Sequence, residues 1–144
     1  MKRNEVLQDG AILALRLATA ANFLSPVGAR LGWWGGGWAK FLVYTGQVNS
    51  FAPRWAVPAL AVTATILELA FAVMLLVGWR TRWAAWGAAG LTLLFALAMS
   101  VSFGVKEALD YAVFVDSASA ALLATQARYR WSVDEWLTTR GRAV

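Results

Sequence analysis

Residues 56–105 read AVPALAVTATILELAFAVMLLVG (56–78), WRTR (79–82) and WAAWGAAGLTLLFALAMSVSFGV (83–105). The bilayer core is about 30 Å thick and takes about 20 apolar residues as a helix, so each outer run is long enough to span it. Only Trp79 to Arg82 separates the runs, which forces the two helices into an antiparallel hairpin. Pro58 falls in the first turn of its helix, where its missing N–H leaves no bond unmade. Upstream, apolar residues from Gly10 to Val27 predict another span, ended by Pro26 and Gly28. Downstream, 110–127 predicts a fourth, the shortest and least hydrophobic. The connection 28–55 is mixed in character. The tail 128–144 is polar with two tryptophans and reads as a short helix on the membrane surface. The expected architecture is an all-α integral membrane protein, a single domain over 1–144 built as a four-helix bundle.

Composition agrees with lipid as the main solvent, since 60% of the 144 residues are hydrophobic and 15% charged, against roughly 25% charged in a soluble domain. The net charge of +5 does not point to nucleic acid, because the basic residues lie between apolar stretches and form no face or run. The apolar run of the first span is too long for the short core of a secretory signal, so it reads as a retained helix.

Charge also predicts orientation. With four spans, one side carries Lys2, Arg3, Arg80, Arg82, Arg128, Arg130, Arg140 and Arg142, and the other carries Arg30, Lys40, Arg54 and Lys106. The excess of Lys and Arg on the first side places both termini in the cytoplasm. Trp33, Trp34, Trp38 and Trp55 fall at the outer ends of the spans, and Trp79, Trp83, Trp86, Trp131 and Trp136 at the inner ends. That is the distribution of rings anchored at headgroup level. Small residues in the third and fourth spans, such as Gly87, Ala88, Ser117 and Ala120, allow close helix packing.

The chain contains neither Cys nor His. Thiol–disulfide exchange, zinc sites, iron–sulfur clusters and His-ligated haem are therefore not expected. Three ionisable side chains fall inside predicted spans: Arg16, Glu68 and Asp116. Charges in a bilayer normally face the bundle interior and find partners. At 1.5 Å per residue, Glu68 lies about 15 Å above Gly78 and Asp116 about 16 Å above Ala127, while Arg16 lies about 9 Å above Gly10 with a side chain long enough to extend upward. An Arg16–Glu68 pair is geometrically open, either as a lock for the bundle or as a polar site for a ligand headgroup or proton. In the outer connection, Trp38, Phe41, Leu42 and Thr45 share one face of a short helix over 38–48. It is either an interfacial anchor or a lid over a pocket, with Lys40, Tyr44, Asn49 and Tyr111 as polar contacts. No phosphate-binding glycine loop follows from Gly35–Gly37, which precede neither a Lys-Ser/Thr pair nor a βαβ unit.

The order of residues carries a resemblance. Leu15-Arg16-Leu17 leads to Asn22-Phe23-Leu24-Ser25, and Phe41-Leu42 to Tyr44-Thr45 and Asn49. Leu67-Glu68 precedes Leu75 through Ala85, then Phe95 to Met99, Gly104, Lys106 and Leu109-Asp110-Tyr111. Over about residues 11–124 the chain resembles the DoxX-like family of small four-helix bacterial membrane proteins. The resemblance implies the same four-helix fold, a place in the bacterial inner membrane, and a link to quinone-dependent oxidoreductases, including thiosulfate:quinone systems, or to oxidative-stress complexes. Matching residues with suitable chemistry are Arg16, Glu68, Arg82, Asp110 and Tyr111; Asp116 departs from the pattern and receives no role. The expected function is a membrane subunit that binds a quinone in the bundle, through Arg16, Glu68, Asp110, Tyr111, Tyr44 and Lys40, while a protein partner carries the redox centre. The alternative is a non-catalytic anchor or assembly factor, and a proton or small-molecule pathway is a third reading. Helix faces of so small a bundle could serve a homo-oligomer or a larger complex.

Overall fold

Apolar runs set off by turns produce seven α-helices and, among the described residues, no strand. The computed structural model describes residues 3–141; Lys2 and Arg142 of the charge tally, with the rest of 1–2 and 142–144, lie outside the described residues. The helices are α1 (Arg3–Arg30), α2 (Trp38–Val48), α3 (Val57–Val77), α4 (Thr81–Phe103), α5 (Val105–Asp110), α6 (Val113–Ala124) and α7 (Val133–Gly141). By length and composition α1, α4 and the segment Arg54–Val77 can each cross a membrane, whereas α6 is apolar but shorter.

The hairpin forms where it is expected. Gly78 ends α3 in the left-handed region at φ 71°, where glycine carries no Cβ penalty, and Trp79 N–H bonds back to the Met74 carbonyl. A Cβ at Gly78 would also lie 2.4 Å from that of Ser132. Two elements differ from the expected bounds. The first span was placed at 10–27, but α1 runs through Pro26 to Arg30, because its buried stripe continues past the proline. That stripe, Asp9, Ile12, Arg16, Ala20, Phe23, Val27 and Arg30, keeps helical three- and four-residue spacing throughout. The fourth span was placed at 110–127 as one helix. The chain instead forms α5, a break at Tyr111 and Ala112, and α6, with Ala112 in the left-handed region at φ 55°.

Helix α1 packs on α3, α3 on α4, α4 on α6 and α6 on α1, which closes a ring of four. Fully buried alanines 20, 72, 84, 85, 88 and 120 line the helix contacts. Gly87 brings α4 onto α3 so closely that a Cβ there would lie 2.4 Å from the Phe71 ring. On α6, Ser117 Oγ donates to the Ala89 carbonyl of α4 at 2.8 Å. The outward faces stay apolar: Ile66 and Val73 on α3 and Leu94 and Val101 on α4 are exposed. Such a surface has lipid, not water, as its natural solvent.

One end of the bundle, here the tail end, gathers the start of α1, the α3–α4 turn and the C-terminal segment. Asp134 accepts from the backbone N–H groups of Arg80 and Thr81, both at 2.7 Å, and so caps α4. Its own N–H donates to the Gly78 carbonyl. Buried Asp9 accepts from Arg128 Nε at 3.0 Å and Nη2 at 2.8 Å, and from Arg130 Nη1 at 3.4 Å. The opposite, loop end carries α2 and α5. At this end Arg30, the last residue of α1, reaches Thr65 on α3.

Candidate functional site

Below α2 the helices leave a half-open chamber of about 1030 Å³, walled by α1, α2, α3, α4 and α6 and reaching exposed Leu94 and Val101 at its mouth. Its lining is mostly apolar, with Leu15, Phe23, Leu67, Leu91, Phe95 and Met99 among the contributors. Asn49, Tyr44, Tyr111 and several Thr and Ser hydroxyls interrupt it, and so do two polar pairs.

The first pair is Arg30–Glu68. Arg30 Nη1 lies 2.6 Å from Glu68 Oε2 and Nη2 donates to Oε1 at 3.1 Å. Nη1 also donates to Thr65 Oγ1 at 2.7 Å, and the guanidinium carbon sits 3.6 Å from the centre of the Phe41 ring. The residues are 9% and 2% exposed. Chain geometry explains the pairing: Arg30 is the last residue of α1, where the helix dipole favours a cation, and its side chain points back down the helix, toward Glu68. The pair ties α1, α2 and α3 together.

The Arg16–Glu68 pair expected from the sequence does not form. The Arg16 guanidinium donates to the Trp131 carbonyl at 2.8 Å and to the Arg130 carbonyl at 3.5 Å. Its Nη1 would lie 2.9 Å from a Cβ on Gly78, and Gly78 is about 15 Å along α3 from Glu68. The sequence reading took Arg16 to extend upward from a helix starting at Gly10. Because α1 starts at Arg3 and side chains tilt toward a helix N-terminus, Arg16 is drawn down to the tail.

The second pair is Asn22–Asp116. Asn22 Nδ2 of α1 donates to Asp116 Oδ1 of α6 at 3.2 Å, and both residues line the chamber. Asp116 stands in the first turn of α6, just past the break at Ala112.

The six residues singled out from the sequence therefore divide. Glu68, Tyr44 and Tyr111 line the chamber, whereas Arg16, Lys40 and Asp110 do not. Lys40 donates to the Gly35 carbonyl on the surface, and Asp110 forms an exposed ion pair with Lys106 one turn earlier on α5. Arg82 donates to the Gln126 carbonyl. Sequence reasoning missed Arg30 because Pro26 and Gly28 read as a helix end; the unbroken stripe from Asp9 to Arg30 was the signal that could have found it. It also gave no weight to Asn22. Among the described residues no group of three or more His, Cys, Asp or Glu side chains is placed to hold a metal ion.

Compared with known proteins, residues 11–101 match the family model described as DoxX. No curated protein and no solved structure matches the chain.

Proposed function

The chain belongs to the DoxX family, and on that premise we propose that it is a multi-pass subunit of a quinone-linked oxidoreductase in the bacterial inner membrane. In this reading α1, α3, α4 and the α5–α6 pair cross the bilayer with both termini in the cytoplasm. A quinone occupies the chamber, and a protein partner carries the redox centre. The observation that carries the reading is the chamber itself. Its size of about 1030 Å³ is at the upper end of the roughly 300–1,000 Å³ usual for ligand sites. Its walls are apolar, and its few polar side chains suit an amphipathic molecule with a small head and a long tail. A chain without Cys or His has no side chains of its own for thiol or metal-centred electron transfer, which supports assigning that chemistry to a partner.

The test is extraction into lipid nanodiscs without detergent exchange, followed by mass spectrometry of bound lipids and co-purified proteins. Quinone at close to one per chain together with a redox-active partner is the expected result. A stable partner with no retained small molecule would instead make the protein an anchor or assembly factor.

A further inference from the structure

Charged side chains enter the chamber lining at two places, Arg30–Glu68 and Asp116, and they are not equivalent. Arg30–Glu68 is closed on itself. The guanidinium is divided between Glu68 and Thr65 and covered by Phe41. The two atoms of the pair without a hydrogen-bond partner, Arg30 Nε and Glu68 Oε2, have almost no accessible surface. A ligand could reach them only by displacing protein atoms. Asp116 is different: it lines the chamber and is half-buried, and the one hydrogen-bond partner of its carboxylate among the described residues is the amide of exposed Asn22, on Oδ1. A carboxylate has about four acceptor positions over its two oxygens, so most of this capacity is unspent. Arg30 supplies the one cation in the chamber lining, and it is already matched by Glu68.

We infer that the ligand head is met at Asn22–Asp116, between α1 and α6, and that this station selects a head that donates hydrogen bonds. Of a quinone's two redox states, that is the quinol, whose hydroxyls donate to Asp116, whereas the oxidised ring carries only acceptors and faces a carboxylate it cannot satisfy. The hydroxyls of Tyr44 and Tyr111, also in the lining, donate and accept equally, so they do not reverse this choice. The inference rests on the quinone reading above and adds the redox state and the residues that select it.

The experiment uses the full chain in phosphatidylcholine nanodiscs and two probes, decylubiquinol held reduced under anaerobic conditions and decylubiquinone. Binding is read by quenching of the chain's tryptophan fluorescence. The quinol should bind about tenfold more tightly, the difference expected of one charge-assisted hydrogen bond. Asp116→Asn should bring the ratio close to one. If that variant is not recovered folded, Asn22→Ala serves instead: it frees another acceptor position on the carboxylate and should widen the preference. Equal binding, or tighter binding of decylubiquinone, overturns the selection while leaving the quinone reading intact. Failure of the wild-type chain to bind either probe overturns both.

Discussion

The two ends of the bundle both bury charge, but they do different things with it. At the tail end, Asp9 is 2% exposed and takes hydrogen bonds from two arginines, while Arg16, also 2% exposed, takes two backbone carbonyls. These contacts fasten the segment after α6 across the foot of α1 and the α3–α4 turn. Toward the loop end, Arg30–Glu68 is also buried but forms part of the chamber wall, and half-buried Asp116 lines the same chamber with a single amide partner. Burial of an ionisable group is therefore a poor guide to function by itself. What separates the two regions is whether the group's hydrogen-bonding capacity is spent and whether there is room next to it.

The largest effect expected from this contrast is at Arg30–Glu68. Removing one member of a buried pair leaves the other charge uncompensated, so Arg30→Leu and Glu68→Gln should each destabilise the bundle by about 3–5 kcal/mol, while the double change recovers much of the loss. Thermal unfolding of the four proteins in a mild detergent measures this. Coupling of Glu68 to Arg16 instead of Arg30 would contradict the geometry described here.

A smaller effect is expected at the tail end. Arg16 donates to carbonyls that belong to an exposed segment and can turn to water when it is lost. Arg16→Leu should therefore cost about 1–3 kcal/mol and should loosen residues 128–141 without changing ligand content. Limited proteolysis reads the first result: faster cleavage within that segment is expected, with the helical ring left intact. Loss of bound quinone in Arg16→Leu would erase the distinction between the ends.

The smallest perturbation tests which end faces which compartment. Cys at Ser50, on the loop end, should react with an impermeant thiol reagent added to whole cells. Cys at Thr138, exposed on α7, should react only after the membrane is opened. The Thr138 substitution should shift stability by no more than about 0.5 kcal/mol, and the Ser50 one, which replaces a hydroxyl bonded to Ser102 Oγ at 2.9 Å, by about 0.5–1.5 kcal/mol. The reverse labelling pattern would invert the positive-inside assignment and place the chamber's α2 cover in the cytoplasm.

Much of this organisation was legible in the chain, for reasons that can be stated residue by residue. Gly78 and the tryptophans around it mark the hairpin because a short polar loop between long apolar runs has few alternatives in lipid. The helix over 38–48 followed from the spacing of Trp38, Phe41 and Thr45. Arg30 was hidden by Pro26, since a proline inside a helix usually ends it, and here the buried stripe on both sides outweighs the lost hydrogen bond. The break at Tyr111–Ala112 had no glycine or proline to announce it, since an alanine at φ 55° is a conformation that sequence periodicity does not encode. The weight on Arg16 rests on its place inside a predicted span and on the family resemblance, neither of which says which way its side chain runs.

The brevity of α6 has a consequence for how the protein is made. Its 12 residues extend about 18 Å, well short of a hydrocarbon core of about 30 Å, so hydrophobicity alone gives it little hold on the bilayer. What keeps it in place is α4, through the Ser117 bond to the Ala89 carbonyl and the alanine contacts around it. Synthesis runs from the N-terminus, so the hairpin of α3 and α4 is complete before α6 leaves the ribosome. This short apolar helix can then dock onto a finished template instead of having to insert by itself.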